Sequence, residues 1–265
     1  MSKSCNSAFV NPKTGSDKTG QINDKQYPFR TIAAATNAIN EAKKCHENGK
    51  WVIFLAPCLF EENVRTQPNI FLHGADRSAT IICGSVSIRN LKNPEDSCEL
   101  KELTIIGQIV TSSQSHGELA LFEVNVIAPD SHSPFDLRCG QFKLDSCVIV
   151  QSINAAYESR YQFYHLHGTE SISLNVRNCR HERRVKGVTR QGQIFSSIFY
   201  NSPNPESVVS FQSNLYFNTF DRYFIGLLIP YDSQDAAGHF QSHSDTHRHF
   251  FAQGAGTGLK VAIED

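Results

Sequence analysis

No stretch of about 18 apolar residues exists in this sequence, so no membrane-spanning helix is expected. The opening residues, Met1 to Ser7, carry no apolar stretch, and the expectation is that no ordinary secretory signal is present. There is no Asn-x-Ser/Thr acceptor site. No basic excess exists either: 25 Lys and Arg face 26 Asp and Glu, a net charge of −1. That balance argues against a general nucleic-acid binder, which needs a basic stripe to displace counterions. Charged residues make up only 19% of the chain, below the roughly 25% of an average globular protein.

The eight cysteines lack any Cys-x-x-Cys pair and match no zinc module. They read as reduced thiols, mostly buried as small hydrophobes, in a chain made in the cytosol. Nucleophile-elbow, dinucleotide and EF-hand patterns are also missing. Gly15 to Gly20 has the outline of a phosphate loop, but Gln21 stands where the lysine is needed. No cofactor is therefore expected. What is present is a sizeable apolar content, 40% of residues, with 18 Phe and 8 Tyr. The chain can bury a core and is not disordered.

One segment reads as a helix, over about 28–47. Pro28 suits a first helical turn. Ile32, Ala35, Ile39 and Ala42 recur at helical spacing, and Lys43, Lys44 and His46 suit the C-terminal end of the dipole. Asn48 and Gly49 then stop it. Beyond Gly49 come short β-branched runs punctuated by Gly, Pro, Asn and Asp. They are too close together for βαβ units, which leaves a sandwich or a solenoid.

An internal repeat favours the solenoid. Leu100, Leu103 and Ile105 share a pattern with Leu121, Val124 and Val126, and with Leu144, Cys147 and Ile149, at offsets of 21 and 23 residues. Looser copies begin at Leu174 and Phe211. Two regions read as loops, Asn178 to Gly192 and Asn201 to Glu206. The expected organisation is one β-helix domain over 1–225 with its N-terminal cap, followed by a closing or oligomerisation segment over 226–265.

The order of motifs in the first third carries a resemblance. Asn11-Pro-Lys-Thr-Gly leads to Pro28-Phe-Arg-Thr-Ile and an alanine-rich helix. Val52-Ile-Phe-Leu-Ala-Pro, Phe60-Glu-Glu-Asn-Val, Ile70-Phe-Leu-His-Gly and Thr80-Ile-Ile-Cys-Gly follow. This resembles the opening of the pectin-lyase-like superfamily. The resemblance implies a mostly β fold, a right-handed parallel β-helix with a short N-terminal capping α-helix. That superfamily holds pectin esterases, polysaccharide lyases and hydrolases, and also viral surface proteins that are often trimers without catalysis. Fold alone does not select among these.

Asp136 and Arg138 share one face of a strand, with Asp145 nine residues on, and are the candidates for esterase-like or lyase-like chemistry. The esterase family's remaining catalytic segments are absent, so no catalytic residue is assigned. Glu102 and Glu123 hold equivalent places in the repeat and are expected to be exposed. Arg180, Arg183, Arg184 and Lys186 form a basic run suited to an anion or an acidic glycan. His239, His243 and His247 are spaced four apart, and are metal candidates only on a helix that their Gly- and Ser-rich surroundings disfavour. The aromatics cluster late, from Tyr157 to Phe224, and read mostly as core.

The expectation is a structural or attachment protein, virion-associated if viral and otherwise cytoplasmic. It would be a homo-oligomer, a trimer by preference, with a carbohydrate as the compatible ligand and neither nucleic acid nor membrane as partner. The alternative is a polysaccharide-active enzyme with a non-standard site.

Overall fold

The computed structural model describes the backbone of residues 6–45, 49–112, 116–129, 132–137, 140–154 and the later strands named below. Side chains are described for 6–44, 49–112, 116–129, 132–137, 140–151, 175 and 179.

The chain begins with β1 (Asn6–Val10) and α1 (Ile32–Cys45) and then winds. Successive coils are β2 (Trp51–Leu55), β3 (Leu59–Phe60) and β4 (Val64–Thr66), then β5 (Ile70–Gly74), β6 (Ile81–Cys83) and β7 (Val86–Ile88). There follow β8 (Ser97–Lys101), β9 (Thr104–Ile106) and β10 (Ile109–Thr111), then β11 (Glu118–Phe122), β12 (Asn125–Ala128) and β13 (Phe135–Leu137). The next are β14 (Gly140–Asp145), β15 (Val148–Asn154) and β16 (Tyr164–His167), then β17 (Ile172–Arg177), β18 (Arg180–Lys186) and β19 (Ile194–Asn201). The last are β20 (Val209–Ser213), β21 (Tyr223–Leu228), β22 (His239–Gln241), β23 (His249–Gln253) and β24 (Lys260–Ala262).

Among the described residues these strands form three sheets, in the orders β1-β2-β5-β8-β11-β14-β17-β20-β24-β22, β18-β15-β12-β9-β6-β3 and β23-β21-β19-β16-β13-β10-β7-β4. They are called the first, second and third sheet below. Neighbouring strands pair in parallel, as between β2 and β5, β6 and β9, or β7 and β10. Parallel neighbours need a crossover. Here the crossover is the rest of the coil, so from β2 to β19 each coil adds one strand to each sheet. The fold is a parallel β-solenoid with a helix near its N-terminus.

Strand alternation sends every second residue inward, and equal positions stack from coil to coil. Ile53, Leu72, Leu100 and Leu121 form one inward ladder of the first sheet, each 0% exposed. Phe60, Ile82, Ile105, Val126 and Ile149 form that of the second. Val64, Val86, Ile109 and Phe135 form that of the third. Each such side chain contributes about 1.5–3 kcal/mol by leaving water.

The repeat read from the sequence is the corner between the first and second sheets. Glu102, Glu123 and Ser146 take left-handed backbone there, with φ of 54°, 55° and 56°. Their amides reach the next coil, Glu102 N–H to Phe122 C=O and Glu123 N–H to Asp145 C=O, both at 3.0 Å. The turn drops Leu103, Val124 and Cys147 into the core. The looser copies are out of step by two residues. Leu144 stacks on Val176, while Leu174 stacks on Phe142 and Phe211 on Leu174. The next corner pair is therefore Cys147 over Cys179, both buried.

Glycine is required where coils touch. A Cβ on Gly74 would sit 2.1 Å from the Glu102 carbonyl oxygen, closer than any real contact.

At the N-terminal end α1 covers the open coil with Ile32, Ala35 and Ile39, all 0% exposed. The helix starts at Ile32 rather than at Pro28, because the residues between have another task. The outer edge of β1 would otherwise offer unpaired backbone groups. Phe29 N–H bonds to Phe9 C=O and Asn11 N–H bonds to Phe29 C=O, both at 2.8 Å. Asn23 N–H bonds to Ser7 C=O at 2.7 Å, and the Asn23 side-chain oxygen accepts from Ser7 N–H at 2.8 Å. The segment with the phosphate-loop outline is part of this seal: a Cβ on Gly15 would lie 2.1 Å from the Phe29 carbonyl oxygen.

One segment read as a loop is a strand. Arg180 to Lys186 form β18, which pairs along its whole length with β15, from Val148–Arg180 to Asn154–Lys186. A charged run does not prevent a strand when the preceding coil offers a full ladder of backbone partners. Residues 202–206 of the other expected loop lie outside the described residues. In the C-terminal part β21 crosses position 226, and β23 pairs β21 while β22 and β24 pair each other.

Candidate functional site

The outward face of the first sheet gathers chemistry that its inward face cannot hold. The strands alternate, so Phe54 projects between buried Ile53 and Leu55, and Phe71 and His73 project between buried Ile70, Leu72 and Gly74. Register then brings residues from distant parts of the chain into columns. Phe9 pairs Phe54, Phe54 pairs His73, His73 pairs Lys101, Lys101 pairs Phe122 and Phe122 pairs Asp145. Beside this column runs another, in which Val52 pairs Phe71, Phe71 pairs Glu99, Glu99 pairs Ala120 and Ala120 pairs Lys143.

The aromatic rings touch in sequence. Phe9 and Phe54 stack with centroids 5.3 Å apart and planes 19° apart. Phe54 meets His73 edge-on at 6.0 Å, and His73 lies parallel to Phe71 at 6.5 Å. Phe54 remains 39% exposed, a large value for a phenylalanine that has core neighbours on both sides. Lys50 places its ammonium 5.3 Å from the Phe71 centroid, a cation–π distance.

Polar groups flank the strip. His73 Nε2 lies 2.7 Å from Glu99 Oε1. Lys143 Nζ lies 2.5 Å from Glu118 Oε2, and Lys101 Nζ lies 3.5 Å from Glu102 Oε1. Ala120, in register between Glu99 and Lys143, is buried beneath its neighbours. Phe9 and Phe54 lie face to face and His73 meets Phe54 edge-on, so the strip is an apolar ridge of packed rings with charged side chains beside it.

The residues singled out from the sequence are placed elsewhere. Asp136 is half-buried on β13 of the third sheet, in register with Val110 and His165. Asp145 is at the far end of β14 in the first sheet, hydrogen-bonded by the Ser146 hydroxyl at 2.9 Å. The length of β14 lies between them, about 16 Å at roughly 3.3 Å per residue. Strand order thus keeps the two carboxylates apart. Arg138 lies outside the described residues. Arg180, Arg183, Arg184 and Lys186 are on β18, in register with Val148, Gln151, Ser152 and Asn154, and their side chains lie outside the described ones. His239 is on β22, while His243 and His247 lie outside the described residues. Glu102 and Glu123 occupy successive corners; Glu123 is exposed and Glu102 half-buried.

The cysteines described are free thiols. Cys98, Cys147 and Cys179 are buried, Cys58 is half-buried and Cys83 is exposed. Burial pushes the Cys98 thiol up to about 12. Cys179 is raised first by its hydrogen bond with Cys147 and then by burial. Groups held protonated in this way are packing residues and not nucleophiles.

Sequence reasoning passed over Phe9, Phe54, Phe71 and His73. The signal was present in Ile70-Phe-Leu-His, where period-two alternation makes Phe71 and His73 the outward pair. What joins them to Phe9 and Phe54 is register, which no local pattern reveals.

No protein-family model matches this sequence, and no curated protein matches it. Among solved structures the chain is similar to pectin methylesterase PemA from Erwinia chrysanthemi, with a TM-score of 0.49 and 11% identity, over 96% of this chain and 92% of that one. It is similar also to a pectin methylesterase in complex with hexasaccharide VII, with a TM-score of 0.48 and 12% identity over the same shares.

Proposed function

We propose that this chain is a structural or attachment protein that holds carbohydrate on the outward face of its first sheet without cleaving it. The observation that carries the reading is the contiguous strip of Phe9, Phe54, His73 and Phe71. The exposed part of Phe54 gives the C–H-rich side of a sugar an apolar surface to rest against, and sugar hydroxyls suit the flanking charged and polar side chains. A second support is geometric. General acid–base cleavage or deacylation needs groups that converge on one bond, and Asp136 and Asp145 stand on different sheets.

The finer form of the proposal is a virion-associated homotrimer, in which residues 226–265 close the solenoid or contact a neighbouring subunit. Its support is the resemblance of the N-terminal motifs to a superfamily that includes trimeric viral surface proteins. Removing residues 226–265 and measuring assembly size tests this part: loss of the oligomer supports it, and a soluble oligomer of unchanged size defeats it.

The test of the main reading is incubation of the purified chain with acidic and neutral polysaccharides, following both retention and new chain ends. Retention without turnover is expected. Depolymerisation or deacylation that disappears in Asp136→Ala or Asp145→Ala would make the chain an enzyme and overturn the proposal.

A further inference from the structure

The outward face of the second sheet is apolar where those of the other two sheets carry charge. We infer that this face is the contact between copies of the chain; this deepens the homo-oligomer reading and rests on it.

Alternation sets the residues between the inward ladder positions on the outside, and register gathers them into two columns. In one, Leu59 pairs Ile81, Ile81 pairs Thr104, Thr104 pairs Asn125 and Asn125 pairs Val148. In the other, Cys83 pairs Ile106, Ile106 pairs Ile127 and Ile127 pairs Val150. No outward position from β3 to β15 holds a charged residue. Leu59 is 51% exposed and Ile106 37%. Cys83 is exposed as well, and Ile81, Ile127 and Val148 are half-buried. The polar pair in the middle is bonded within the chain. Asn125 Nδ2 donates to Thr104 Oγ1 at 3.1 Å, and the Thr104 hydroxyl donates to the Arg77 carbonyl at 2.5 Å. The exposed aliphatic residues are thus one contiguous patch, which in a soluble protein marks a contact surface.

Charge and size name the occupant. The outward columns of the first sheet carry Glu99, Lys101 and Lys143, and those of the third carry Arg65 and Asp136. Covering such groups with aliphatic side chains would strip them of water without return. Among the described residues, the sheet face of matching chemistry is this same face on another copy. Beyond Val148 and Val150 the two columns continue to Arg180 and Glu182, a cation and an anion at one level. A copy running in the same direction sets apolar levels against apolar levels and this mixed level against its like. The six strands from β3 to β18 span about 24 Å, and about six residues of width, corners included, give about 20 Å. Side-chain relief raises the accessible area of such a face toward the roughly 800 Å² per partner of a stable contact. The exposed Glu61 and Glu123 lie at its margins, as polar residues do at the rim of an interface. The aromatic ridge stands on a different sheet and stays open in this arrangement.

The experiment is sedimentation velocity on the full chain from about 1 to 100 μM, the range in which a weak to moderate contact dissociates. Wild type is expected to be an oligomer. Ile106→Lys and Leu59→Lys should each raise its dissociation constant about tenfold or more, because a lone ammonium would be buried against aliphatic side chains, with unchanged circular dichroism. Cys83 supplies a check that needs no variant: its labelling should be slower at high protein concentration than at low, though still ahead of the buried thiols. An oligomer that both folded variants leave intact, with Cys83 labelled equally fast at every concentration, would overturn the assignment to this face while the homo-oligomer reading stands. A wild-type chain that is monomeric throughout would overturn both. A monomer that floats with phosphatidylcholine vesicles would give the face to a lipid surface and equally overturn the inference.

Discussion

Glu62 caps α1 through Ile32. One carboxylate oxygen of Glu62 accepts the Ile32 N–H at 2.9 Å and the other accepts the Ala33 N–H at 3.1 Å. The Thr31 hydroxyl accepts the Ala34 N–H at 3.1 Å. Asp17 accepts from the Arg30 and Thr31 amides at 2.8 and 2.9 Å. The first-turn amides, which no helix can satisfy internally, are thus shared between a local cap and a carboxylate from the first coil. Glu62 fixes the lid to the solenoid as well as ending the helix.

Glu62→Ala should lower stability by about 1–2 kcal/mol, the sum of a lost cap and a lost charge at the positive end of the dipole. Glu62→Gln should fall between the two, because the amide still accepts one bond but carries no charge. Thermal melting of the three proteins checks the order. Equal melting points for wild type and Glu62→Ala would refute the role.

Alternation predicts opposite outcomes for neighbours in β8. Leu100 is 0% exposed in a stacked aliphatic ladder, and Leu100→Ala should cost about 3 kcal/mol or more. Lys101 has a partly exposed pairing with Glu102, and Lys101→Ala should change stability by no more than about 0.5 kcal/mol. Denaturant titration distinguishes them, and a reversed order would mean the register of β8 is wrong.

Thiol labelling of the native chain should separate the described cysteines by exposure. Cys83 reacts first, whereas Cys98, Cys147 and Cys179 react only on unfolding. With Cys98 pushed up to about 12, raising the pH to 9 should not expose it to an alkylating reagent. Peptide mapping after a timed pulse gives the answer, and early modification of Cys98 would contradict its burial.

Lys43 offers a pH test. Burial lowers its value below that of a free lysine, against the opposing pull of the Asp96 carboxylate, and its ammonium donates to the Pro68 carbonyl at 2.6 Å. A lysine depressed in the folded state makes the unfolded chain the better proton binder between the two values. Stability then rises with pH through that window and is lower below it. As the pH rises toward the ordinary lysine value of about 10.4, wild type should therefore gain stability relative to Lys43→Met. A difference that stays flat with pH would show that Lys43 titrates normally.

The local devices of this fold are written in the sequence. Ile32, Ala35 and Ile39 mark a helix because one face of a helix recurs every three or four residues. Leu100, Leu103 and Ile105 and their two closest copies mark the corner because each coil repeats the same inward steps, and the structure buries every one of those residues. The resemblance of the first third placed the solenoid and its cap together.

Tertiary structure decided what stands beside what. Trp51 stacks on Ile70, Leu100 on Leu121 and Leu144 on Val176, so the coils differ in length. Loop insertions absorb the difference without changing any local pattern. That is why the local pattern puts Leu174 and Phe211 two residues out of step, and why Arg180 to Lys186 look like a loop in sequence although β15 offers them a full ladder. It is also why Phe9, Phe54, His73 and Phe71 form one strip while Asp136 and Asp145 do not meet. A residue's inward or outward direction depends on its immediate neighbours along the chain. Its partner in the next coil depends on the whole length of chain between them, and only the closed coil fixes that.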